Sequence, residues 1–208
     1  MKNYRKKLFS TFFLLIGLGI LPMGCEVFCN DSCGCGPQFE VKDFRITAFE
    51  TLTLAADGQR IDPSTVLPFA QTTKSFRIAQ FETIALARNS EPSFPGIAMA
   101  CSPIPPKSIE RMTNLILINK KEQVLGDGTI LQIGDQLNPY VEINYFFASQ
   151  TSPISDFLEG GLTLFSDDLF KLVWQKDPGK EMVIEFDLQI ELEGGRAFVL
   201  PNEILSIR

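Results

Sequence analysis

The 208-residue chain carries nineteen Lys and Arg against twenty-five Asp and Glu, a formal charge of −6, with 45% hydrophobic residues and no histidine. Without histidine, one chain supports neither Ser-His-Asp nor Cys-His nucleophile activation, nor a His-containing zinc or iron site. The acidic balance argues against nucleic-acid binding, because such a surface repels phosphate backbones.

The chain opens with a basic stretch, Lys2, Arg5, Lys6 and Lys7, followed by a nearly continuous apolar run from Leu8 to Leu21 and then Pro22-Met23-Gly24-Cys25. At 1.5 Å per residue that run makes a helix of about 21 Å, short of the roughly 30 Å hydrocarbon core. Residues 1–24 therefore read as a lipoprotein signal peptide, with Cys25 as the lipidation site because the small Gly24 precedes it. Pro22 stands where such signals usually carry Leu. The rival, cleavage at an Ala-x-Ala site, lacks its residues, since no alanine occurs before Ala48. Removing 1–24 leaves fifteen basic and twenty-five acidic side chains, so the lipid and not charge would hold the protein to its membrane.

Residues 25–38 read as a Cys-rich tether, and 39–208 as one domain. Strands are expected at Phe39–Leu54, Ser75–Ala87, Thr113–Ile118, Tyr140–Phe147, Leu169–Trp174 and Glu203–Ile207. Turn-forming pieces such as Asp57-Gly58, Asp127-Gly128 and Asp177-Pro178-Gly179 separate them. The clearest strand is Ile184 to Leu192, where Ile184, Phe186, Leu188, Ile190 and Leu192 alternate with polar residues. Gly194-Gly195 supplies a hairpin turn and Ala197–Leu200 returns. A short helical turn is expected at Ile154–Glu159. Seven or eight strands without a sustained helical period predict an all-β fold, an antiparallel immunoglobulin-like β-sandwich, with an open antiparallel barrel as the alternative.

Phe44–Ala55 matches Phe76–Ala87 at eight of twelve positions, an offset of thirty-two. No third copy follows, so two similar strands of one sandwich are expected, in preference to a solenoid or to a duplicated ligand ridge built on Arg45 and Arg77.

With Cys25 lipidated, Cys29, Cys33, Cys35 and Cys101 are left, an even number consistent with disulfides in an exported protein. Cys33 and Cys35 are too close in sequence to bridge each other comfortably. A bridge from one of them to Cys101 would close a loop of about 65 residues, worth roughly 4 kcal/mol on the chain-entropy account. A four-thiolate zinc site lacks the usual Cys-x-x-Cys pairs, so neither metal nor cofactor is expected. The acid pairs Asp156/Glu159 and Asp167/Asp168 read as solvated surface groups; the second pair, placed on a strand, would point to opposite faces. Gly126-Asp127-Gly128-Thr129 lacks calcium-loop spacing. No catalytic residues are assigned. Phe146, within Tyr145-Phe146-Phe147, and the single tryptophan, Trp174, are the candidates for an exposed aromatic patch, with Tyr145 and Phe147 on the opposite strand face from Phe146.

The segments Cys33-Gly34-Cys35-Gly36-Pro37 with Phe39-Glu40-Val41, Ala100-Cys101-Ser102-Pro103-Ile104-Pro105-Pro106 and Ile190–Phe198 bracket nearly the whole mature chain. They resemble a family of uncharacterised lipoproteins from Bacteroidetes-type bacteria. That resemblance implies an envelope location, a disulfide and an all-β fold, without an activity. The expectation is a non-catalytic binding or accessory module, lipid-anchored in the bacterial envelope at the outer membrane, meeting another envelope protein. A glycan-binding module is the alternative. A carboxylate-dependent glycoside hydrolase ranks last, since it needs two acids about 5–10 Å apart in a cleft.

Overall fold

The computed structural model describes residues 43–84 and 105–208. The signal peptide, all five cysteines, the tether and most of the proline-rich loop lie outside the described residues.

Apolar and polar side chains alternate from Ile184 to the end of β9 (Met182–Leu192), and every second residue of the strand is buried. That strand is the centre of a three-stranded antiparallel sheet, flanked by β3 (Met112–Asn119) and β10 (Ala197–Ile207). The second sheet has five strands in the order β1 (Asp43–Ala55), β2 (Thr72–Ile84), β8 (Leu169–Trp174), β6 (Val141–Tyr145), β7 (Ser152–Pro153). A separate hairpin joins β4 (Gln123–Val124) to β5 (Ile130–Leu131), and α1 (Ile154–Phe157) forms the expected helical turn. All the pairings within the sheets are antiparallel, and the two larger sheets enclose one core, which makes the protein an all-β sandwich.

The core is dominated by aromatics from the five-stranded sheet and aliphatics from the three-stranded one. Phe76 and Phe170 are cross-strand neighbours, both fully buried, with ring centroids 5.0 Å apart. Opposite them stand Ile184, Phe186, Leu188 and Ile190 of β9 with Leu115 and Leu117 of β3. Burying side chains of this size supplies roughly 1.5–3 kcal/mol each.

Three sequence expectations change at the strand ends. Ala197–Leu200 and Glu203–Ile207 are one strand, not two: the register against β9 shifts by one residue between Leu200 and Glu203, a bulge in which Asn202 takes φ 57°. Strand β6 stops at Tyr145, and Ala148 donates its N–H back to the Tyr145 carbonyl, so Phe146 and Phe147 lie on a turn and the expected strand alternation does not reach them. Asp167 also lies in a turn, and Asp168 immediately precedes β8. The Gly194-Gly195 turn is as expected, with both residues at φ 84°.

The outer edge of β3 is covered by a side chain. Asn138 accepts the Leu117 N–H at 2.9 Å and donates to the Leu115 carbonyl at 2.7 Å, taking the place of a neighbouring strand's backbone.

Candidate functional site

The strongest exposed feature grows from the end of β6. The Phe146 N–H donates to the Leu169 carbonyl at 2.7 Å, which ties the turn to the start of β8. Lys171, two residues along β8, donates its ammonium to the Ala148 carbonyl and pins the far side of the same turn. Phe146 is half-buried: Gly58, at φ 85° after β1, lies where a Cβ would stand 3.4 Å from its ring. Phe147 cannot share that shelter. It is 91% exposed, its ring edge-on to Phe146 at 5.3 Å and 89°. Before the turn, Tyr145 packs one side of its ring on Phe170 and Phe157 while remaining 36% exposed.

Trp174 belongs to the core and offers no surface for a ligand. It is 2% exposed, stacks on Tyr140 at 5.6 Å, and stands opposite Val141 of β6. Its indole N–H has no partner among the described residues, so no polar contact marks it as a recognition group either. Trp174 and Phe146 are therefore not brought together as one patch.

Among the described residues the candidate carboxylates do not converge. Asp156 and Glu159 are both exposed at α1, where Ser155 donates to Asp156. Asp168 accepts the Phe165 N–H at 2.8 Å and thereby closes the turn into β8; burial pushes its carboxyl above the usual range. Burial, aided by the Asp168 charge, in turn raises the Tyr145 phenol. Asp127 is held down to about 2, first by the hydrogen bond from Lys176. That lysine sits 2.7 Å from the Asp127 carboxylate. Among the described residues no group of three or more His, Cys, Asp or Glu side chains is placed to hold a metal ion.

Arg45 and Arg77 do not make a ligand ridge. The two similar segments are neighbouring strands: Arg77 stands opposite Glu50 and pairs with it at 2.6 Å, while Arg45 stands opposite Glu82. Sequence reading missed one polar cluster entirely. Lys74, on the inward face of β2 and only 3% exposed, reaches Glu203 of β10 at 2.6 Å; Thr51 donates to the same Glu203 oxygen at 2.6 Å. This is an ion pair between the sheets, inside the sandwich. Its sequence signal was a lysine immediately before the expected start of β2.

No family model matches the sequence, and no curated protein matches it. Solved structures with some likeness include C-terminal domains of two streptococcal proteins. The Streptococcus agalactiae AgI/II polypeptide BspA C-terminal domain aligns with TM-score 0.28 and 14% identity over 77% of this chain and 49% of that one. The C-terminal domain of the Streptococcus pyogenes antigen I/II-family protein AspA gives 0.26 and 11% over 78% and 46%. The chain thus spans about half the length of these structures.

Proposed function

We propose that this protein is a non-catalytic binding or accessory module of a bacterial envelope, lipid-anchored through Cys25 at the outer membrane and meeting a protein partner through the Phe146–Phe147 ridge. The observation that carries the reading is the 91% exposure of Phe147, on a turn tied to the sheet at both ends. A large apolar ring held in water on a fixed support is the kind of anchor that contributes most to protein interfaces. Support for export comes from the basic and apolar start of the chain and from Gly24-Cys25.

A bridge between Cys101 and Cys33 or Cys35 fits this reading. Phe44 and Ser108 form a parallel bridge; Cys35 precedes the first by nine residues and Cys101 precedes the second by seven. Two segments that run side by side in the same direction, with cysteines at similar distances upstream, favour that pairing. Mass mapping of the non-reduced protein should recover Cys101 in a cross-linked peptide; a free Cys101 thiol would refute the bridge.

A glycan-binding module is the second reading, and Phe147 replaces Trp174 as its anchor. Crosslinking in intact cells, followed by recovery through a C-terminal tag, tests the main reading. It predicts one protein recovered in near-stoichiometric amount, and recovery of the protein alone would contradict it.

A further inference from the structure

We propose that the ridge takes a cationic protein segment, with an Arg or Lys side chain of the partner laid on the Phe147 ring and paired with the carboxylates at the ridge's borders. This rests on the binding-module reading and gives the partner its chemistry.

Exposed acids flank the ridge's two supports in sequence, Asp167 before Leu169 and Asp57 before Gly58, with Arg60 the exposed cation on the Gly58 loop. The Phe146 N–H is bonded to the Leu169 carbonyl, and Leu169 follows the exposed Asp167 by two residues; Asp168, between them, is half-buried and accepts the Phe165 N–H. On the other side Asp57 immediately precedes Gly58, the residue that abuts the Phe146 ring, and is exposed as well. The basic side chain nearest in sequence on β8, Lys171, is committed to the Ala148 carbonyl within the same turn. The mature chain as a whole has fifteen Lys and Arg against twenty-five Asp and Glu, so long-range attraction also selects cationic partners. An exposed aromatic face adds to this, because its quadrupole attracts a cation laid over it.

The same geometry disfavours a sugar. A ring-stacking platform gains from coplanar aromatics, and Phe146 and Phe147 stand at 89° to each other. Only one flat face is on offer.

The test uses the mature protein and fluorescence anisotropy with three labelled probes of one length: alternating Arg-Leu, Ser-Leu and Glu-Leu octapeptides. Chitotetraose serves as the sugar competitor. The Arg-Leu peptide should bind at least about tenfold more tightly than the other two. Phe147→Ser should weaken it by about tenfold and Phe147→Leu, which keeps apolar bulk but removes the π face, by about threefold. Asp167→Asn should weaken it and flatten its salt dependence. Equal affinity of Phe147→Ser and native protein for the Arg-Leu peptide overturns the proposal, since diffuse charge attraction would then account for the binding. Chitotetraose binding that depends on Phe147, without Arg-Leu preference, overturns it in favour of the glycan reading. If crosslinking recovers a partner whose contact with the ridge carries no Lys or Arg, the cationic proposal fails while the binding-module reading stands.

Discussion

Lys74 shows how a single side chain decides what holds the two sheets together. An ammonium at 4% side-chain exposure is tolerable only because Glu203 lies 2.6 Å away, with further contacts to the Ile204 carbonyl at 3.3 Å and the Thr53 hydroxyl at 3.5 Å. Removing one partner leaves the other charge buried. Glu203→Gln should therefore cost about 3–5 kcal/mol in urea unfolding, whereas Lys74→Met with Glu203→Leu should recover most of that loss. A double variant no more stable than Glu203→Gln would show that the pair contributes more than its own neutralisation. Asp187 acts at lower pH. Its carboxyl is held below the usual range, first by the Asn202 N–H and then by Lys120, so its unfolded form binds a proton at higher pH than its folded form. Its contribution is present above the ordinary carboxylate range and is lost as pH falls through the depressed folded value. Asp187→Asn should flatten the acid side of the stability curve below about pH 4, compared by thermal melts with native protein; an unchanged acid limb would contradict this.

At the scale of elements, the duplicated segment explains its own pairing. Because β1 and β2 carry nearly the same residues and run antiparallel, Phe44, Arg45 and Ile46 meet Thr83, Glu82 and Phe81, while Phe49, Glu50 and Thr51 meet Ile78, Arg77 and Phe76. Each segment is complementary to its own reverse. Reversing one charge, Arg77→Glu, should cost about 1 kcal/mol or less at this exposed position, and Glu50→Arg with Arg77→Glu should restore it in a double-mutant cycle. Loss of coupling would mean that the pair does not help set the register. Self-complementarity would also invite a second copy onto the outer edge of β1, yet the chain bonds to parts of that edge. Lys107 and Ile109 bond to Phe44, Arg196 donates to the Ile46 carbonyl, and Ile61 donates to Thr53. In the register left open, centred on Glu50, two copies would set Glu50 against Glu50. The strands themselves were legible in the sequence where alternation was sustained, as from Ile184 to Leu192 in β9, or where an apolar run stood between turn signals, as in β8. The β10 bulge was not, because Pro201-Asn202 reads as a break, whereas Asn202 at φ 57° inserts one extra residue and turns Glu203 toward Lys74. Two-residue pieces such as β4, β5 and β7 carry too little pattern to be seen.

For the whole molecule, strand-like spacing without a sustained helical period led to a sandwich, and the structure has one. The candidate site was less legible. Tyr145-Phe146-Phe147 drew attention as a run, but which ring faces water depended on where β6 stops, and the hydrogen bonds of the 146–148 turn set that point. Trp174 was misplaced for a related reason: alternation puts it on the same face as Phe170 and Leu172, and that face is the core. The functional account makes Phe147 a binding residue with no part in stability, since its 91% exposed ring leaves little to lose on truncation. The most direct measurement joins both halves of that claim: the melting temperature of Phe147→Ser, and the yield of partner it recovers by crosslinking in intact cells. The account predicts an unchanged melting temperature and loss of most of the partner. Full recovery of the partner by a folded Phe147→Ser protein would contradict it.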